Sequence, residues 1–148
     1  MGASGWTYYV PFERDRDAAL RRLQQKVFRA CDYYRRPRTR KPKTLAELRK
    51  LAGEDGTHSI LDMMRVVPPP ATPGEVTLDM NIERWGTISE LHPQDLLEFF
   101  GTTKPTRVQV EERIDELRDW RNRNVGTLVV IYKSGKPDEL LFTGYSGD

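Results

Sequence analysis

The sequence predicts an α+β domain, a mixed or mainly antiparallel sheet of four or five strands with helices gathered chiefly on one face. Three observations carry that expectation. Both ends of the chain are rich in β-branched and aromatic residues, over 6–12 and again over 126–143. The middle repeats its apolar residues at helical steps instead. A chain of 148 residues can bury about 68–70% of its unfolded surface in one core, so residues 1–148 are read as a single domain.

Residues 6–12, with Trp6, Tyr8, Tyr9, Val10 and Phe12, form the first expected strand. Pro11 places its end at a sheet edge or a strand terminus. A helix follows from about Asp15 or Asp17, because acidic side chains favour the positive pole of a helix. Leu20, Leu23, Val27 and Tyr34 make its inward stripe, with Ala30 or Cys31 filling the gap, while Arg21, Arg22, Gln25, Lys26 and Arg29 take the other face. Pro37 is expected to end this helix and to open a basic loop at about 35–43. Thr44 and Glu47 have capping-box spacing, and the short helix they start, over 45–52, stops at Gly53.

Residues 56–67 read as a turn followed by a strand, although Ile60, Leu61 and Met64 also suit one helix face. Pro68, Pro69, Pro70, Pro73 and Gly74 make a Pro-rich loop at about 68–74, which continues neither element. Residues 76–82 alternate as another strand. Pro93 then starts a helix whose stripe is Leu96, Leu97, Phe99 and Phe100, closed by Gly101. Thr106 and Gln109 make a second capping box, opening a helix to about Asn122 with Val110, Ile114 and Leu117 inward. The runs 126–132 and 139–143 are a hairpin turning around residues 134–137.

The charge is divided along the chain. Residues 1–50 hold 14 Lys/Arg against 5 Asp/Glu, and residues 51–148 hold 10 against 17. The basic excess peaks just after Tyr33 and Tyr34, in Arg35, Arg36, Arg38, Arg40, Lys41 and Lys43. Such polarity points to an anionic partner, a protein or a nucleic acid, at residues 33–43. Arg offers forked donors to phosphate and Tyr33 or Tyr34 a ring for a base to stack on. Against this, the patch is local, and a proline-broken run of like charges is more often a solvated loop.

Other classes are set aside on composition. No apolar run approaches the roughly 20 residues of a membrane span. The N-terminus lacks a basic-then-apolar signal pattern, and Trp6 stands where a myristoylation motif needs Ser or Thr. A cytoplasmic protein of bacterial type is the expectation. Cys31, the single cysteine, allows no internal disulfide and no cysteine-cluster metal site. His58 and His92 lack ligand spacing, so neither a metal nor a cofactor is expected. The acidic residues Glu111, Glu112, Asp115, Glu116 and Asp119 disqualify the 107–122 helix as a DNA-recognition helix.

One segment carries candidate chemistry. In residues 56–62, His58 supplies an imidazole, a side chain suited to proton exchange, Thr57 and Ser59 supply hydroxyls, and Asp62 is placed to orient an imidazole if the segment is helical. In a strand the two would lie roughly 13 Å apart. A histidine hydrogen-bonded at the end of a strand is the plainer account. Cys31 is paired with His58 as a nucleophile and base only on paper; on the inward stripe of a helix it reads as a core filler.

Three segments, Met1-Gly2-Ala3-Ser4-Gly5-Trp6-Thr7-Tyr8-Tyr9-Val10-Pro11-Phe12, Gly56-Thr57-His58-Ser59-Ile60-Leu61-Asp62 and Gly144-Tyr145-Ser146-Gly147-Asp148, together resemble a group of small, uncharacterised bacterial proteins. The resemblance spans nearly the whole chain and brings no activity with it. It implies that these three segments are where a shared site lies. The leading expectation is a non-enzymatic binding or accessory protein, one that neutralises a partner. The alternatives are a small enzyme using His58 and Asp62 with Trp6 or Tyr8, and a nucleic-acid binder using residues 33–43.

Overall fold

The computed structural model describes residues 4–74 and 84–147. The strand expected over 76–82 lies outside them. Among the described residues five strands form one sheet: β1 (Gly5–Pro11), β2 (Arg65–Val67), β3 (Thr87–Glu90), β4 (Val125–Lys133) and β5 (Lys136–Tyr145), in the order β1-β5-β4-β3-β2. The β1–β5 and β5–β4 ladders are antiparallel, while β4–β3 and β3–β2 are parallel. The sheet is therefore mixed, the first of the two arrangements expected, and the mainly antiparallel alternative is not met. The parallel half comes from short strands, one of them within 84–91, whose apolar content is too brief to signal a strand.

The helices are α1 (Arg16–Ala30), α2 (Leu45–Ala52), α3 (Pro93–Phe100), α4 (Arg107–Glu112) and α5 (Ile114–Asp119). They cover both faces of the sheet, not chiefly one. Side chains alternate across a strand, and here both sets are apolar. Trp6, Ile88, Leu128, Leu140 and Phe142 pack with Ala19, Leu20, Leu23 and Val27 of α1 and Leu48 of α2. Leu91, Val129, Ile131 and Leu141 pack with Phe99 and Phe100 of α3, Val110 of α4 and Leu117 of α5. The central strands thus read as continuous apolar runs because two layers of helix enclose them.

Asp15 caps α1, its carboxylate accepting from Ala18 N–H at 3.0 Å. The helix ends at Cys31, in the left-handed region at φ 57°, well before Pro37. Tyr34 accordingly leaves the inward stripe and is 41% exposed, and Cys31 is exposed instead of buried in the core. Thr44 caps α2 by accepting from Glu47 N–H, but the Glu47 carboxylate returns to Lys43 N–H, one residue early for a capping box. At Thr106 and Gln109 the reciprocal box is complete. That helix breaks at Arg113 into α4 and α5. Leu97 of α3 is 50% exposed and falls outside the stripe expected for it.

The C-terminal hairpin forms, with a tighter turn than 134–137. Ser134 and Gly135 take φ of 52° and 75°, the positive pair a type I′ turn needs. Pro137 lies within β5 opposite Tyr132. Two glycines in the sheet have a steric purpose. Gly144 pairs with Trp6, and Gly126 lies beside it in β4 opposite Ile88. A Cβ on either would come within 2.8 Å of the Trp6 ring. The indole lies across this bare patch, held by backbone on its sheet side.

A candidate binding cleft at the β1 edge

The segment 56–62 is not a strand. Gly56 and His58 take positive φ of 67° and 53°, and residues Ile60–Asp62 form a single 3₁₀ turn capped by Ser59, whose Oγ accepts from Leu61 N–H. The strand starts only at Arg65. Three polar side chains hold the loop. Asp62 Oδ1 accepts from Thr57 N–H at 2.7 Å. Gln24, buried on α1, donates to the carbonyls of Ile60 and Met63 at 3.0 and 2.7 Å. Arg49 of α2 donates to Leu61 O and Met63 O, both at 3.0 Å. Burial at Arg49 lowers its pKa, with Asp62 opposing that shift. Sequence reading missed Gln24 and Arg49; the one available signal was a polar Gln24 directly after the apolar Leu23.

This loop presents His58 and Ser59 to a cleft of about 630 Å³, lined also by Ser4, Gly5, Trp6, Thr7 and Tyr8 of the first strand and by Cys31, Asp32, Tyr33 and Tyr34 after α1. Trp6, Tyr8, Tyr33, Tyr34 and His58, all expected site residues, thus meet in one place. Tyr34 stacks on His58 with ring centroids 4.4 Å apart, and Tyr34 N–H donates to Thr57 O at 2.8 Å. Tyr8 donates its hydroxyl to Asp32 Oδ2 at 3.2 Å. Burial first, then the neighbouring Asp32 charge, pushes the Tyr8 pKa up to about 12. Burial likewise raises Tyr33. Trp6 is 5% exposed, and its indole N–H has no hydrogen-bond partner among the described residues. A buried donor left without an acceptor is unusual in a folded protein.

Asp62 does not join the cleft. Its Oδ1 accepts from Thr57 N–H, outside the cleft lining, and His58 is half-buried instead of enclosed. Cys31 Sγ faces the Arg29 carbonyl at 4.0 Å.

The basic loop divides. Arg36 pairs with Asp55 at 2.5 Å and Arg40 pairs with Glu47. The Arg36 hydrogen bond lowers the Asp55 pKa, and the Lys43 N–H lowers that of Glu47. Lys43 contributes its backbone there. Arg35, Arg38 and Lys41 make no ion pair among the described residues. Arg35 directly follows Tyr34, which lines the cleft.

The described parts of the N-terminal and C-terminal segments meet beside this region. Ser146 donates to Ser4 O from both its N–H (3.0 Å) and its Oγ (3.1 Å), and Gly144 lies under Trp6. Among the described residues, no cluster of three His, Cys, Asp or Glu is placed to hold a metal ion. No helix among them is long and apolar enough to cross a membrane. No protein-family model matches the chain, and neither a curated protein nor a solved structure is significantly similar to it.

Proposed function

We propose that this chain is a non-enzymatic binding protein and that the cleft beside β1 receives its ligand. The observation that carries the reading is the make-up of the cleft: five aromatic rings from three segments, with the one carboxylate that sequence spacing offered to His58 committed to a backbone amide. Rings and hydroxyls give contact area and orientation, which serve binding. General base catalysis needs an oriented proton acceptor within hydrogen-bond reach of its target, and Asp62 is held at the Thr57 amide, outside the cleft lining. Arg35, Arg38 and Lys41 extend the surface toward an anionic partner.

Two measurements test this. Screening fragments and peptides by amide chemical-shift mapping should concentrate the shifts on residues 5–8, 31–34 and 57–59. Assaying p-nitrophenyl esters and phosphates should show no turnover. A turnover that His58→Asn abolishes, with the melting temperature unchanged, makes the chain an enzyme and ends the binding reading.

A further inference from the structure

Resting on that binding reading, we propose that the occupant of the cleft is an extended, acidic segment of a partner polypeptide, which adds to β1 as a further strand. β1 is the outermost strand of its half of the sheet. Antiparallel partners alternate between pairs that exchange both backbone bonds and pairs that exchange none. The Phe12 N–H donates to Asp138 O, and Ser146 N–H donates to Ser4 O, each at 3.0 Å. In the same register Trp6, Tyr8 and Val10 face Gly144, Phe142 and Leu140, so the even-numbered residues bond to β5. Gly5, Thr7 and Tyr9 then turn their N–H and C=O groups outward. Consistently, the carbonyl of Tyr145, opposite Gly5, is taken by Asn124 N–H at 3.0 Å.

The outward groups make no backbone hydrogen bond among the described residues. The other end of the sheet differs, because Asp17 of α1 accepts from Val66 N–H of β2 at 2.9 Å. Open edges invite strand pairing, and the next outward position in β1 is Pro11, which has no N–H to offer. Addition is therefore confined to Gly5, Thr7 and Tyr9, the stretch that borders the cleft. Across it stand Cys31–Tyr34 and the His58–Ser59 corner, a wall able to take the side chains of an added strand.

Charge selects the kind of segment. Asp32, the one acidic side chain in the cleft, already accepts from Tyr8, whereas Arg35, Arg38 and Lys41 are unpaired among the described residues. An edge of alternating amide donors and carbonyl acceptors matches a polypeptide backbone. It does not match a phosphate chain, which offers acceptors alone.

The experiment selects binders to the folded protein from a displayed library of random decapeptides, then measures synthetic winners by fluorescence anisotropy. Acidic sequences are expected, with affinity falling as salt rises and falling again in the Arg35→Gln/Arg38→Gln/Lys41→Gln variant. N-methylating the peptide one amide at a time should weaken binding at every second position, by about fivefold to tenfold per lost bond. This readout sits on the ligand and needs no variant to fold. Thr7→Pro, which removes an outward N–H and spares the ladder to β5, should weaken the same peptides by a similar factor. A flat N-methylation profile overturns strand addition. If Tyr34→Ala still weakens those peptides, the cleft reading stands without it; if Tyr34→Ala has no effect either, both fall. A library that yields no binder, tighter binding of oligothymidylate at the same residues, or a dimer of this chain that Thr7→Pro dissolves would each refute the acidic peptide.

Discussion

Gly144→Ala isolates the contact that seats Trp6 against the sheet. A Cβ at this position would lie 2.8 Å from Trp6 Cζ2, 3.0 Å from Cη2 and 3.2 Å from Gly126 Cα. Comfortable carbon contacts are about 3.5–4.0 Å, so the new methyl overlaps the ring by most of an ångström. The ring has little room to retreat. A Cβ at Gly126 would sit 2.8 Å from Cη2 and 2.7 Å from Ile88 Cγ1, which shows how closely the neighbouring row is filled. Overpacking of this kind costs about 1–3 kcal/mol, and the reduced freedom of the unfolded chain returns about 0.4–1 kcal/mol. The expected net loss is about 1–2 kcal/mol, or about 2–8 °C in Tm for a chain of this size. Urea unfolding followed by circular dichroism measures it. The decisive control is the Trp6→Leu background, where the smaller side chain leaves room and the Gly144→Ala cost should largely vanish, giving a coupling energy near the full effect. An equal cost in both backgrounds, or a Gly144→Ala protein as stable as the parent, would refute the steric account.

Other perturbations test the remaining polar supports. Arg121 is 5% exposed, its pKa lowered to about 10 chiefly by burial, and it donates to Ser89 O, Gly126 O and Glu90 O at 2.5, 2.7 and 3.1 Å. Arg121→Met should therefore cost about 3 kcal/mol or more in urea unfolding, by leaving carbonyls between β3 and β4 without donors; Arg121→Lys, lacking the fork, should not restore it. Gln24→Leu removes both clamps on the 60–63 carbonyls and should cost about 2 kcal/mol, with the His58 resonances moving in NMR spectra. On the alkaline side, the raised Tyr8 pKa means the folded state holds its proton longer than the unfolded state. That contribution is complete below pH 10 and is lost as pH rises toward 12. Phenolate absorbance should show a late-titrating step that Tyr8→Phe removes, and the variant should lose less stability across that window.

What the sequence disclosed follows from how local each signal is. The α2 and α3 boundaries, the Thr106 box and the hairpin depend on a few adjacent residues, and the structure keeps them. The end of α1 was misplaced because Pro37 is a visible stop, whereas the real one is a left-handed Cys31, a conformation its residue type does not advertise. Which strands form the parallel half is hidden in the sequence for a different reason. Ile88 and Val66 acquire partners only through long connections, and parallel pairing leaves no turn to read. At the cleft, sequence could nominate Trp6, Tyr8, Tyr33, Tyr34 and His58 by residue type. It could not show that the cleft takes His58 and leaves Asp62 at the Thr57 amide, since that depends on two positive φ angles at Gly56 and His58.

The charge division has a spatial meaning that the fold supplies. Helices α1 and α2, on one face of the sheet, carry seven cationic against two acidic side chains; α3, α4 and α5, on the other, carry seven acidic against two cationic. A split along the chain becomes a split across the sheet, so the two helical layers carry opposite net charge. The cleft opens at the edge of that sheet on the cationic side, since the Trp6 and Tyr8 side chains project toward the α1 face. An anionic segment approaching the edge is thus drawn to this face and repelled from the opposite one. If that field guides the encounter, raising salt from 50 to 200 mM should slow association of an acidic peptide and leave its dissociation nearly constant. Reversing the acidic face, through Glu112→Lys and Glu116→Lys, should speed association although neither residue lines the cleft. A dissociation rate that carries the whole salt dependence would show instead that only contacts inside the cleft matter.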